Sequence, residues 1–153
     1  MRFVVAAGVV LLVWAFWELS PGRQLEKAFT RLITAAENRD WKTVRAIVAD
    51  DYRDQWGFDR EESVRLASEV LGQFLALKID CEALRSSRQG DAALVETRLR
   101  LRGRGNAVGE ALMQRANDLQ DDFRFAWRRE SWKPWSWKLV SLSQNEIDPT
   151  EFL

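Results

Sequence analysis

The chain is 153 residues long, enough for one domain of ordinary size with a short appendage and crowded for two. With 46% hydrophobic and 30% charged residues it carries too much apolar material for a disordered chain, and 23 basic against 23 acidic side chains leave no basic excess for binding nucleic acid. There is no histidine and one cysteine, Cys81, which excludes histidine-dependent nucleophilic sites, histidine-ligated haem, most zinc sites and any internal disulfide.

Phe3 to Trp17 reads FVVAAGVVLLVWAFW, a run without a charge. As a helix it would span about 22 Å against a hydrocarbon core of ~30 Å, so its length is borderline for crossing. A cleaved signal needs small residues ahead of its cut, and Ser20-Pro21-Gly22 is a poor site. Trp14 and Trp17 suit an interfacial aromatic belt, and Arg2 is the positive side chain on the other flank. The segment 1–19 therefore reads as a transmembrane anchor or signal segment, the anchor being preferred. Residues 20–23 read as a linker, 24–147 as the folded domain and 148–153 as a tail. The expected location is the cell membrane, single-pass through residues 3–17, with the C-terminal domain outside the cytoplasm.

Leu25, Ala28, Phe29, Leu32, Ile33 and Ala36 share one helical stripe. Asn38-Arg39-Asp40 ends that helix, and Asp40 caps a second whose Trp41, Val44, Ile47 and Val48 share a face. A short strand is expected around Tyr52 to Trp56. Asp59 and Glu62 form a capping-box pattern that opens a third helix, running to about Ala76, with Val64, Ala67, Leu71, Phe74 and Leu75 on one side. Beyond it the period becomes alternating. Leu77, Ile79 and Cys81 oppose Lys78, Asp80 and Glu82; after a turn at Gln89-Gly90-Asp91, Val95, Thr97, Leu99 and Leu101 oppose Glu96, Arg98, Arg100 and Arg102. Gly103 to Asp118 is a long connection with a helical turn near Glu110 to Arg115. Phe123, Phe125 and Trp127 form the inner face of a further strand, and Trp135, Trp137 and Leu139 that of the last. Val140 and Leu142 put apolar groups on the other side of this last strand, which suggests cover there from the tail or a second subunit. The fold class is α+β: three N-terminal helices in the concave face of a curved antiparallel sheet, behind one hydrophobic membrane helix.

This order of elements resembles the nuclear transport factor 2-like superfamily, with its SnoaL-like and ketosteroid-isomerase-like members. The matching features are Asn38-Arg39-Asp40-Trp41 at the first corner, Ala49-Asp50-Asp51-Tyr52 after the second helix, and the aromatic last strand WSWKLVSL. In ketosteroid-isomerase-like relatives a carboxylate base sits just after the second helix. Here Trp56 stands where that base is expected and Asp54 lies two residues earlier, so the resemblance implies at most a displaced base, with Tyr52 as a possible oxyanion donor. The superfamily's dehydratases rely on histidine, which this chain lacks.

Two groups of residues are candidates for function. Tyr52, Asp54, Trp56, Trp127, Trp135 and Trp137 form a possible pocket for an apolar or aromatic molecule, against the competing reading that the tryptophans are core. Arg98, Arg100, Arg102, Arg124 and Arg128 form a possible basic docking face for an acidic protein or anionic lipid, against the competing reading that Glu96, Asp80, Glu82 and Asp122 pair with them across the strands. Cys81 reads as a small core hydrophobe. Gly103-Arg-Gly105-Asn-Ala-Val-Gly109 is one residue too long for a phosphate-cradling loop and reads as a sheet turn. Neither a metal nor a cofactor is implied, and a homodimer through the sheet is a further possibility. The preferred expectation is a membrane-tethered extracytoplasmic binding or assembly module that is not a catalyst. The alternative is a small-molecule binder or enzyme using the cone cavity for ketosteroid-isomerase-like proton transfer. A deep apolar cavity reaching Asp54 would favour this alternative.

Overall fold

A computed structural model describes residues 14–15, 20–133 and 135–148. The apolar run 3–17 lies outside these residues apart from Trp14 and Ala15, as does most of the tail 148–153. Among the described residues no helix is long and apolar enough to cross a membrane.

Helix α1 (Pro21–Glu37) starts inside the expected linker. Ser20 stands at its N-cap and Pro21 at its first turn, where the missing N–H costs nothing and the fixed φ suits a helix, so the proline opens the helix instead of breaking it. Leu25, Phe29 and Leu32 of its stripe are buried, Ala28, Ile33 and Ala36 are half-buried against the core, and Ala35 beside the stripe is buried as well. At the corner Arg39 takes a φ of 56°, unusual for a residue with a Cβ. Its guanidinium donates to the carbonyls of Leu71 and Phe74, tying this corner to the point where helix gives way to sheet. Asp40 accepts from Thr43 N at 3.1 Å and caps α2 (Trp41–Ile47).

No strand forms at Tyr52 to Trp56; Arg53 makes a single bridge to Asp59. The segment instead runs along the outer edge of β4 (Trp137–Ser143), with Ala49 N donating to Leu139 O, Arg53 N to Val140 O and Gln55 N to Leu142 O. That contact covers an edge that would otherwise expose unpaired backbone groups. Helix α3 (Arg60–Leu71) has the full capping box of Asp59 and Glu62 but stops five residues before the expected Ala76. Phe74 and Leu75 belong to β1 (Phe74–Gln89), where alternation buries Phe74 and leaves Leu75 exposed.

The sheet is one antiparallel meander in the order β1, β2 (Ala92–Gly105), β3 (Phe123–Arg129), β4. Gly90 supplies the positive φ of 61° that the two-residue β1–β2 loop requires. Ile79, Val95, Thr97, Phe125, Trp127, Trp137 and Leu139 are buried on the face the helices cover, and Leu99 packs against them. The expectation of apolar groups on both sides of the last strand is corrected by a bulge. Trp127 pairs with Leu139 but Ala126 with Ser141, so Val140 is the extra residue and Leu142, opposite Phe125, returns to the inner face. The Gly103–Asp118 connection holds three turns of helix, α4 (Ala107–Asp118), capped by Asn106 on Gly109 N. The glycines there serve close packing: a Cβ at Gly105 or Gly109 would come within 2.7 Å of the Gln73 carbonyl oxygen.

Candidate functional site

The layer between helices and sheet is not filled. A cavity of about 370 Å³ lies under α3 and α4, walled by Ile33 and Ala36 of α1, Trp41 and Val44 of α2, Val64, Ala67 and Val70 of α3, and Leu112 and Ala116 of α4. Ile79, Leu99, Phe123, Phe125, Leu139 and Leu142 form its floor, and Ile147 reaches it from the C-terminal segment. This explains why α3, whose apolar stripe is plain in sequence, has no buried residue. Its stripe faces a void.

One wall is polar. Tyr52, Asp54 and Ser63 all line the cavity. Asp54 is nearly buried, and its two oxygens are taken: Oδ1 accepts from Trp56 N at 3.0 Å and Phe58 N at 2.9 Å, and Oδ2 from Ser63 Oγ at 3.0 Å. To take a proton from a substrate this carboxylate would have to give up a bond that shapes the 54–58 loop. Asp54 thus organises the loop and anchors it to α3. Burial pushes the Tyr52 hydroxyl well above its ordinary value, with the Asp54 charge adding to the shift and Ser63 opposing it, so it stays protonated and able to donate. Trp56 lines the cavity half-buried, its Nε1 donating to Ile147 O at 3.0 Å.

The three other expected pocket residues are placed elsewhere. Trp127 and Trp137 are 1% exposed and pack in the core beyond the cavity. Trp135 precedes β4, which starts at Trp137, and is exposed in the β3–β4 loop. The lining from α4, Ile147 and Ser63 was not anticipated. The Asn106 cap followed by Leu112 and Ala116 at helical spacing was the available signal for α4; nothing local marked Ser63 or Ile147.

On the opposite face each expected docking arginine has a carboxylate partner. Arg98 lies 3.8 Å from Asp122, Arg100 3.1 Å from Glu82, Arg124 3.4 Å from Glu96 and Arg128 2.8 Å from Asp51; Arg102 pairs with Asp80. The row is a mosaic of compensated charge. Cys81 is half-buried, and burial raises its thiol above the ordinary value, with Asp80 and Glu37 reinforcing the shift, so it carries little thiolate.

No family model matches the sequence, and no curated protein matches it at a significant level. Solved structures do match the fold. An NTF2-like protein of unknown function from Pseudomonas putida superposes with a TM-score of 0.58 at 16% identity, over 77% of this chain and 80% of that one. The fold is NTF2-like. A second NTF2-like protein, from Cytophaga hutchinsonii, gives 0.55 at 16% identity over 78% and 92%. A candidate dehydratase of the NTF2-like family from Streptomyces avermitilis gives 0.56 at 19% identity over 78% and 91%. At these identities the likeness concerns architecture, which hosts many functions.

Proposed function

We propose that this chain is a small-molecule-binding domain of NTF2-like fold that holds an apolar ligand, with one hydrogen-bond acceptor, in the cavity beneath α3. The observation that supports this is the largely apolar hollow of about 370 Å³, with Tyr52, Asp54 and Ser63 at one wall and Arg115 as the other charged lining residue. That size falls at the lower end of ordinary ligand sites, and apolar walls with few polar groups are their usual make-up. Proton transfer is disfavoured because Asp54 is committed to three donors. Dehydration of the kind the Streptomyces protein's name suggests is not carried over, since this chain supplies no histidine. We also propose that residues 3–17 tether the domain to a membrane, on the strength of their uncharged apolar sequence.

The test is titration of the protein with rigid apolar ketones, 1-indanone and 2-acetylnaphthalene, followed by the thermal unfolding midpoint and by indole emission, to which the cavity-lining Trp41 and Trp56 contribute. Binding should raise the midpoint, and Ala67→Phe, which fills the hollow, should weaken it by about tenfold or more. Tyr52→Phe should weaken the ketones by about 1 kcal/mol through the lost donor. No response from the unsubstituted chain up to ligand solubility would overturn the reading.

A further inference from the structure

The β3–β4 loop, described at residues 130–133 and 135–136, carries the two most exposed aromatic side chains among the described residues, Trp132 at 82% and Trp135 at 69%. They are held outward by a fastened loop. Ser136 is buried and donates through Oγ to Ser131 O at 2.6 Å and through N to Lys133 O at 3.1 Å, while Glu130 N donates to Ser136 O. The Lys133 ammonium sits 5.9 Å from the centre of the Trp135 ring. Arg129 joins this loop to the β1–β2 tip by its N–H to Asp91 O and its guanidinium to the Asp91 carboxylate. Most cations at this end are neutralised, Arg128 by Asp51 and Glu130, Arg129 by Asp91. Lys133 in this loop and Arg88 near the end of β1 have no carboxylate partner among the described residues.

From its C-terminus toward its N-terminus, helix α1 touches strand positions progressively closer to this end. Its Glu37 binds Ile79 N on β1, its Phe29 meets Phe125 on β3 edge to face at 5.1 Å, and it also contacts β4. Leu25, nearer the N-terminus, belongs to the same buried core as Phe29, Phe125, Trp127 and Trp137. In sequence only Glu18, Leu19 and Ser20 separate the apolar run from α1.

We infer that this end of the domain rests on a lipid bilayer, with Trp132 and Trp135 at headgroup level and Lys133 and Arg88 toward anionic lipid. Indoles are favoured there because the ring is apolar and its N–H finds polar partners, and basic side chains gain from the negative surface. The inference rests on the proposed tether for its proximity and has its own readout.

The experiment uses the full chain with vesicles of phosphatidylcholine and phosphatidylglycerol, with and without brominated acyl chains. Flotation reports the tether. The difference in emission between wild type and W132F/W135F isolates the two loop indoles, and amide exchange of residues 130–133 in wild type gives a measurement that needs no variant. The inference expects flotation, loss of most of the difference emission to brominated lipid, shielding from acrylamide and slowed exchange in the loop. A chain that floats while its loop indoles stay unquenched and open to acrylamide overturns the inference and leaves the tether standing. A chain that stays in the aqueous fraction overturns both. Shielding that grows with protein concentration without vesicles assigns the loop to a second copy and also overturns it.

Discussion

Two regions of the helix–sheet layer are both lined by apolar side chains and pack differently. Where β3 ends and β4 begins, Trp127 and Trp137 are buried with Leu25 and Phe29 of α1, each at most 4% exposed. Under α3 and α4, side chains of the size of Val64, Ala67, Val70, Leu112 and Ala116 line a hollow of about 370 Å³. Apolar patterning decides which face turns inward; side-chain volume summed over distant elements decides whether that interior is solid.

Truncation should separate the halves most sharply. Trp127→Ala should cost ~3–5 kcal/mol, by lost transfer energy and an unrelaxed cavity, whereas Val70→Ala in a wall that is already open should cost about 1 kcal/mol. Urea unfolding measures both, and similar costs would mean the hollow is closed in solution. Enlargement gives the reverse contrast at smaller scale. Ala93→Leu, against the packed tryptophans, should destabilise by ~1–3 kcal/mol, and Ala67→Leu should be neutral or stabilise by up to about 1 kcal/mol. The smallest effect concerns the charged outer surfaces, which both halves share. Hydrogen bonds from Arg128, Arg102 and Arg45 hold Asp51, Asp80 and Glu61 below the ordinary carboxylate range. With folded values below unfolded ones, their contribution is fully present above about pH 5 and is lost as pH falls through the folded values. These groups are exposed, so the urea midpoint should drop only slightly in this window, and less in high salt. A steep, salt-independent loss would mean the pairs are desolvated.

Much of the fold was legible. The stripe from Leu25 to Ala36, the caps Asp40 and Asp59, the alternation from Leu77 to Leu101 and the cross-strand partners of the arginines are short-range patterns, and the structure contains them. The helix-to-strand switch near Gly72 is not legible locally, because Phe74 and Leu75 continue the helical stripe as well as they start a strand. The Val140 bulge was not legible, since Val140 and Leu142 alternate normally until pairing with Ala126 and Phe125 is known. Of the residues expected at a pocket, Tyr52, Asp54 and Trp56 lie at the cavity lining. They line the cavity because their segment follows the β4 edge and folds back to α3, not because it is a strand.

The sequence by itself determined the faces, the caps and the order of elements, because these follow from residue spacing of a few positions and from hydrogen bonds between near neighbours. Tertiary structure alone decided that Asp54 spends its oxygens on backbone and serine donors, that two tryptophans plug one end, and that the other end stays hollow. Occupied lone pairs and unfilled volume are sums over residues far apart in the chain, and no local pattern encodes them.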